Sequence, residues 1–423
     1  MFFFNGRETT GIYTLARHDV FRSSDAALHL AGLGQGELGA AGPDADDGRL
    51  RRHGGRSTCD AMTDSPLLQD RRLGRNRMTD PMAPGLTVLG LETSCDETAA
   101  AVVRRSAEGE VRVLSSVIAS QIAQHAPYGG VVPEIAARSH VEAIDAIAAQ
   151  AMSEAGLSYD DLDGVAATAG PGLVGGVMVG LAFGKAVALA RSLPLVAVNH
   201  LEGHAVSARL GAAVAYPFLL LLVSGGHCQL LEVGGVGACR RLGTTMDDAA
   251  GEAFDKIAKT LGLPYPGGPA LEKLAVGGDS ERYVLPRARL GHKDCDFSFS
   301  GLKTAAARIA EGLTTEPERR DLAAAVQAAI ARQLRERTER AMDLYAQDHG
   351  GEALRFVVAG GVAANGAVRA TLEETATARG FSFTAPPLAY CTDNGAMIAL
   401  AGAERLALGI SDQIGRASCR ERV

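Results

Sequence analysis

Two histidines stand four residues apart in Asn199-His200-Leu201-Glu202-Gly203-His204, at what reads as the start of a helix. The small and apolar run Ala205-Val206-Ser207-Ala208 continues that helix. Residues i and i+4 share a helical face, so both imidazoles can converge on one point. Neutral imidazole is a common metal ligand, and two on one face make half of a metal site. Three readings compete. The plainest is a pair of partly exposed helix histidines. The second is a zinc protease, but its HExxH pattern needs the Glu directly after the first His. Here Glu202 sits two places on, turned well away around the helix. The third is a metal that anchors a ligand rather than activating water.

A candidate third ligand lies far along the chain, in Cys391-Thr392-Asp393-Asn394-Gly395-Ala396-Met397. The plainer role of Asp393 is to cap the small-residue helix that follows. The sharper role completes a His₂-carboxylate set with His200 and His204, which suits Fe(II) or Zn(II) and leaves positions open for ligand oxygens.

Two turns could cradle a phosphate through unobstructed backbone N–H groups. One is Glu92-Thr93-Ser94-Cys95-Asp96-Glu97, the other Val223-Ser224-Gly225-Gly226-His227. Either alone is ordinary turn chemistry. Two at equivalent points of two similar halves favour a nucleotide clamp. Gly360-Gly361 would let backbone approach a ligand closely. Asn365 could hydrogen-bond a ribose or base, although helix capping is its plainer role. Asp255 could accept ribose hydroxyls; its plainer role is an ion pair with Lys259. Tyr265-Pro266-Gly267-Gly268-Pro269 reads as a stiff loop, and Asp294–Lys303 as a strand with one buried face.

The elements that must hold these residues alternate between strand and helix. Strands are expected over Leu86–Leu91, Ala99–Val103, Gly109–Ser116, Val165–Thr168, Leu195–Val198, Phe218–Val223, Gln229–Val233 and Phe356–Ala359. Helices are expected over Ser139–Gly156, Gly175–Arg191, Asp247–Leu261, Leu322–Gln347 and Ala363–Ala378. Two halves each open with a strand, a small polar turn and another strand. That pattern suggests a duplicated α/β unit with a cleft between lobes.

The 423 residues are enough for two or more domains, and 47% hydrophobic content supports large cores. No apolar run reaches the length needed to span a bilayer. Seven scattered cysteines without a CxxC argue against a disulfide framework and for a reducing cytosol. The net charge of −7 is a poor advertisement for nucleic-acid binding, so an RNA partner would need a local basic patch or a helper protein.

The ends differ from the middle. Residues 1–84 balance 11 Arg against 11 acidic residues, contain no Lys and show no sustained apolar period. They are expected to be a disordered extension upstream of a true start at Met78 or Met82. The last ten residues, 414–423, can be read codon by codon as a sequencing-adapter oligonucleotide. They are expected to be an artefactual tail replacing the natural C-terminus. They carry a net +2, so residues 85–413 hold a net charge of −9.

The motifs GLETSCDETAAAVV, NHLEGHAVSARL, LLLVSGGHCQLLEV, DDAAGEAFDKIAKTLGLPYPGGPALEKLA, DFSFSGLKTA, VVAGGVAANGAVRATL and CTDNGAMIALAG occur in this order. Together they closely resemble the tRNA N6-adenosine threonylcarbamoyltransferase family (TsaD, formerly Gcp) over about residues 86–411. The resemblance implies the actin-like, sugar-kinase-like ATPase fold, with two duplicated RNase H-like lobes around a central cleft. The lobes are expected over 85–212 with 390–413, and over 213–389. It also implies a metal, most often iron, on His200, His204 and Asp393, with Zn(2+) as the other candidate. Substrate contacts are implied from Val223, Ser224, Gly225, Gly226, His227, Asp255, Gly268 and Asn365. The implied reaction moves a threonylcarbamoyl group from threonylcarbamoyl-AMP to N6 of adenosine 37 in tRNAs reading ANN codons, releasing AMP in the cytoplasm. Asp96 and Glu97 are the candidates for handling the N6 proton. The family works with a TsaB-like paralogue and a TsaE-like small ATPase, which would resolve the acidic balance of a tRNA enzyme.

Three other functions fit parts of the pattern. An actin-fold kinase or chaperone would not need the His-His-Asp set. A metalloprotease is disfavoured by the HLEGH spacing. A noncatalytic scaffold paralogue would be expected to have lost the ligands that this chain keeps.

Overall fold

A computed structural model describes residues 85–350 and 353–415. The disorder expected over 1–84, and all but the first two residues of the expected artefactual tail, lie outside the described residues. Both sheets belong to one compact unit, Met82–Val423.

The first sheet has the order β3-β2-β1-β4-β5. Its strands are β1 (Leu86–Glu92), β2 (Glu97–Arg105), β3 (Val111–Ser120), β4 (Gly164–Gly170) and β5 (Leu195–Asn199). β1 pairs antiparallel with β2 and parallel with β4; β2–β3 is antiparallel and β4–β5 parallel. The second sheet, β10-β9-β6-β7-β8, repeats the plan. It comprises β6 (Phe218–Val223), β7 (Cys228–Gly235), β8 (Ala238–Thr244), β9 (Arg355–Ala359) and β10 (Ser382–Thr384). β6 pairs antiparallel with β7 and parallel with β9, while β7–β8 is antiparallel and β9–β10 parallel. Position for position, β6 stands where β1 stands. The fold is therefore the duplicated, actin-like α/β architecture expected from the sequence.

The helices are α1 (Ile122–His125), α2 (Pro133–Glu154), α3 (Val174–Arg191), α4 (His200–Ser207), α5 (Ala250–Thr260), α6 (Gly267–Ala275), α7 (Ser300–Ala310), α8 (Glu316–Asp348), α9 (Gly366–Ala378) and α10 (Gly395–Ala407). Parallel crossovers cover both sheet faces, which is why β6, Phe-Leu-Leu-Leu-Leu-Val, is buried along its whole length. Helix α10 lies against β1 and β2 at backbone contact. A Cβ on Gly90 would fall 2.3 Å from Ala399 N, and one on Gly395 would fall 2.6 Å from Ala101 N. This contact sets the start of α10 beside the turn between β1 and β2.

Several boundaries differ from expectation. Helix α2 starts six residues early, because Pro133 occupies a first-turn position where its missing N–H costs nothing. The Tyr265–Pro269 stretch is not all loop: Pro266 immediately precedes α6 and Pro269 sits in its first turn. Asp294–Lys303 is not a strand. Phe297 makes one isolated bridge to Thr245, and α7 begins at Ser300. Helix α3 is long and apolar enough, by length and composition, to cross a membrane, a length that the sequence reading assigned to no run. Gly180 of α3 meets Thr93 and Gly184 meets Ala167 and Leu91, so the helix packs on the first sheet as a core element.

Candidate functional site

β5 ends at Asn199, whose Oδ1 accepts from Leu201 N at 2.9 Å and caps α4. That cap starts the helix with His200, and one turn later His204 lies on the same face. The two rings meet edge to face, with centroids 4.7 Å apart. Across from them is Asp393. Its Oδ1 is 3.1 Å from His204 Nε2 and 3.6 Å from His200 Nε2. One ligand atom from each of the three residues lies within 4.8 Å of the other two. Both imidazoles are buried, while the Asp393 side chain keeps 18% exposure.

Asp393 does not cap α10. Asn394 does, accepting from Met397 N at 2.9 Å. The carboxylate one residue earlier is thereby left to face the histidines. Burial alone would raise the Asp393 carboxyl, but the adjacent His200 and His204 override it and hold the group well below the usual carboxylate range. Burial alone would also lower His200, yet the negative charges of Asp393 and Glu92 raise it to about 9. The donor set, two imidazoles and one ionised carboxylate, fits a divalent ion. Glu202, which a protease would need near the metal, instead pairs with Arg405 at 2.9 Å.

The Ser224–His227 turn joins β6 to β7 beside this cluster. Ser224 N donates to His227 O at 2.8 Å, and His227 N donates to Ser224 Oγ at 3.1 Å. These bonds fix the turn and leave Gly225 and Gly226 at its tip. The His227 ring lies 6.2 Å from the His200 ring, so turn and metal-type cluster share one site. Gly251, at the start of α5, packs beneath the turn with its N–H 3.3 Å from Ser224 O. The sequence reading did not select Gly251; only the close backbone approach marks it.

Asp255 does not form the ion pair considered with Lys259. Its Oδ1 accepts from Gly267 N at 2.8 Å, which fixes the start of α6 and Gly268 beside it. Burial raises the Asp255 carboxyl despite these backbone donors. Asn365 is the cap of α9, accepting from Val368 N at 3.0 Å, and its Nδ2 donates to Gln327 Oε1 at 3.0 Å. The capping role is thus observed, and its amide is already engaged.

Asp96 ends the turn after β1 and Glu97 opens β2, close enough for the Asp393 charge to act on it. Asp96 is 6% exposed. Burial raises Glu97 well above the usual range, reinforced by the charges of Asp393 and Asp96 and by a hydrogen bond with Asp96. His140 supports this turn from α2. Its Nε2 is 3.1 Å from Cys95 O, and its Nδ1 is 2.8 Å from Thr98 Oγ1.

Comparison with known proteins agrees with this geometry. The family model described as "TsaD: tRNA N6-adenosine threonylcarbamoyltransferase" matches residues 112–400. A tRNA N6-adenosine threonylcarbamoyltransferase of Caulobacter vibrioides is 80% identical over 337 residues, covering 80% of this chain and 92% of the relative. One from Maricaulis maris is 58% identical, covering 79% of this chain and 90% of the relative. Among solved structures, T. kodakarensis HypF matches with a TM-score of 0.51 and 15% identity, over 77% of this chain and 48% of that one. This last likeness concerns the fold alone.

Proposed function

The chain belongs to the tRNA N6-adenosine threonylcarbamoyltransferase family, acyltransferases that modify tRNA, and from that premise we propose how its residues divide the work. The acyl donor is threonylcarbamoyl-AMP and the acceptor is N6 of adenosine 37 in tRNAs reading ANN codons. His200, His204 and Asp393 hold one divalent metal, Fe(2+) in preference to Zn(2+). When bound, that ion supplies a Lewis acid toward the threonylcarbamoyl oxygens.

The remaining steps fall to the chain's own groups. Val223 and the Ser224–His227 turn take the adenylate phosphate, with the free tip at Gly225 and Gly226 offering backbone N–H groups. Asp255, Gly268 and Asn365 line the seat for ribose and adenine. A bond forms from N6 to the carbamoyl carbon, and the bond from that carbon to the phosphate oxygen breaks. AMP leaves with the electron pair, so no covalent enzyme nucleophile is required. The N6 proton passes to Asp96, which stands beside Glu97 at the start of β2. Positioning supplies most of the rate, because both reactants are held in one cleft.

The observation that carries this reading is the meeting of His200, His204 and Asp393 beside the Ser224–His227 turn. We place residues 85–212 with 390–413 in one lobe and 213–389 in the other. The reaction is cytoplasmic; the five cysteines among the described residues are free, which suits a reducing compartment. An acidic chain acting on RNA is served by a TsaB-like paralogue and a TsaE-like small ATPase. Val174, Met178 and Leu189 on α3 and Val141 on α2 are exposed apolar side chains on neighbouring helices and suit such a protein partner. The test is an assay of the purified protein with the adenylate donor, tRNA and both partners, read by nucleoside mass spectrometry. Threonylcarbamoyl-adenosine is expected with the wild type and not with Asp393→Ala. Equal product from both would refute the metal-centred site.

A further inference from the structure

The last residue of β1, Glu92, is completely buried, and it has no place in the chemistry assigned above. Burying a carboxylate is costly unless its oxygens are satisfied. Those of Glu92 are satisfied in a directed way. Oε1 accepts from Ser94 N at 2.6 Å, and Oε2 accepts from Thr168 Oγ1 at 2.6 Å. The same Oε2 lies 3.0 Å from His200 Nδ1. Ser94 Oγ is slightly farther from that nitrogen, at 3.2 Å.

We propose that Glu92 is a positioning residue for the metal site, fixing His200 with its proton on Nδ1 so that Nε2 faces the point shared with His204 and Asp393. A carboxylate can only accept, so the ring nitrogen facing it must donate. A neutral imidazole carries a single N–H, which leaves the Nε2 lone pair free for a metal ion. The two histidines are unequal in this respect. His204 also presents Nε2 to Asp393, yet its buried Nδ1 has no hydrogen-bond partner. Orientation is thus built into His200, and Thr168 and Ser94 in turn hold its carboxylate.

This inference rests on the metal reading above, and the test separates the two. Zn(II) affinity of the full-length protein is measured by competition with a chromophoric chelator, and the Co(II)-loaded protein is recorded in the visible range. Glu92→Gln keeps the shape but offers an amide donor, so the ring can reverse its tautomer. With the fold retained by circular dichroism, its Zn(II) affinity is expected to fall by about 10- to 100-fold, with a shifted Co(II) spectrum. Thr168→Val removes one bond that holds the carboxylate and should lower affinity by a smaller factor, about 2- to 10-fold. A folded Glu92→Gln protein with wild-type affinity and an unchanged Co(II) spectrum overturns the proposal. Should Glu92→Gln fail to fold, wild-type affinity in Thr168→Val overturns it instead. A wild type that takes up no Zn(II) overturns the metal reading, and this inference falls with it.

Discussion

Replacing Gly251 with Ala sets two opposed effects against each other at the Ser224–His227 turn. A Cβ there would lie 2.7 Å from Ser224 O, 2.8 Å from Gly225 Cα and 2.9 Å from Gly225 N. Ordinary contacts begin near 3.4 Å, so the turn or α5 must yield by more than half an ångström. All three neighbours are backbone-bound atoms of a hydrogen-bonded turn, and no flexible side chain can absorb the change. Helix propensity pulls the other way, since Ala is better than Gly by about 0.8–1 kcal/mol. Overpacking costs about 1–3 kcal/mol, so the net effect should be a loss of about 0–2 kcal/mol in stability. Function should suffer more: a misplacement of about 1 Å can cost about 100-fold, so half of that implies a loss of roughly tenfold in kcat/KM. The assay pairs thermal melting with AMP titration by calorimetry and with steady-state kinetics. Zn(II) affinity should be unchanged, because the metal ligands sit on other elements. A variant stabilised by the full propensity gain that binds AMP like wild type would refute the claim that Gly251 supports the turn.

Other substitutions probe the remaining roles. Asp96→Ala and Glu97→Ala should each lower kcat by more than tenfold at unchanged metal content; a tenfold or smaller loss, about 1.4 kcal/mol, removes that residue from proton handling. Asn365→Ala should cost about 1 kcal/mol of stability by uncapping α9, read as a lower Tm, and should also weaken AMP binding. An unchanged AMP affinity would confine Asn365 to capping. The pH dependence follows from His200, whose folded value of about 9 stands above the unfolded 6.5. In the metal-free protein this group adds stability that is fully present below about pH 6.5 and is lost as pH rises through about 9. Metal binding must displace that proton, so uptake at pH 7 should release close to one proton, measured by calorimetry in buffers of different ionisation enthalpy. Zn(II) affinity independent of pH between 7 and 9 would contradict it.

Much of this site was legible in residue types and spacing. His200 and His204 are four apart after a strand that ends in a capping Asn, and a helix can only place them on one face. Phe218–Val223 is apolar throughout because a central strand is covered on both faces. Asp393 was legible as a candidate, but its release from capping depended on Asn394, and choosing between two adjacent cap formers requires the backbone. Glu92 was harder to select. It lies inside a recognised motif, but a Glu at the end of a strand reads as exposed until the fold closes around it. Strand β8 escaped notice because Ala238–Arg241 is exposed and lacks apolar alternation. Helix α6 was hidden by its prolines, which disrupt helix interiors but not first turns. Phe297 and Phe299 alternate like a strand, yet α7 begins one residue later and cuts the run short.

The most direct measurement is the metal content of the purified full-length protein beside His200→Ala, His204→Ala and Asp393→Ala, by elemental analysis of folded material. One divalent ion per chain is expected in the wild type, and each substitution should remove it together with threonylcarbamoyl-adenosine formation. Stoichiometric metal retained in all three variants, or full activity in a wild type stripped of metal, would contradict a centre built on these three side chains.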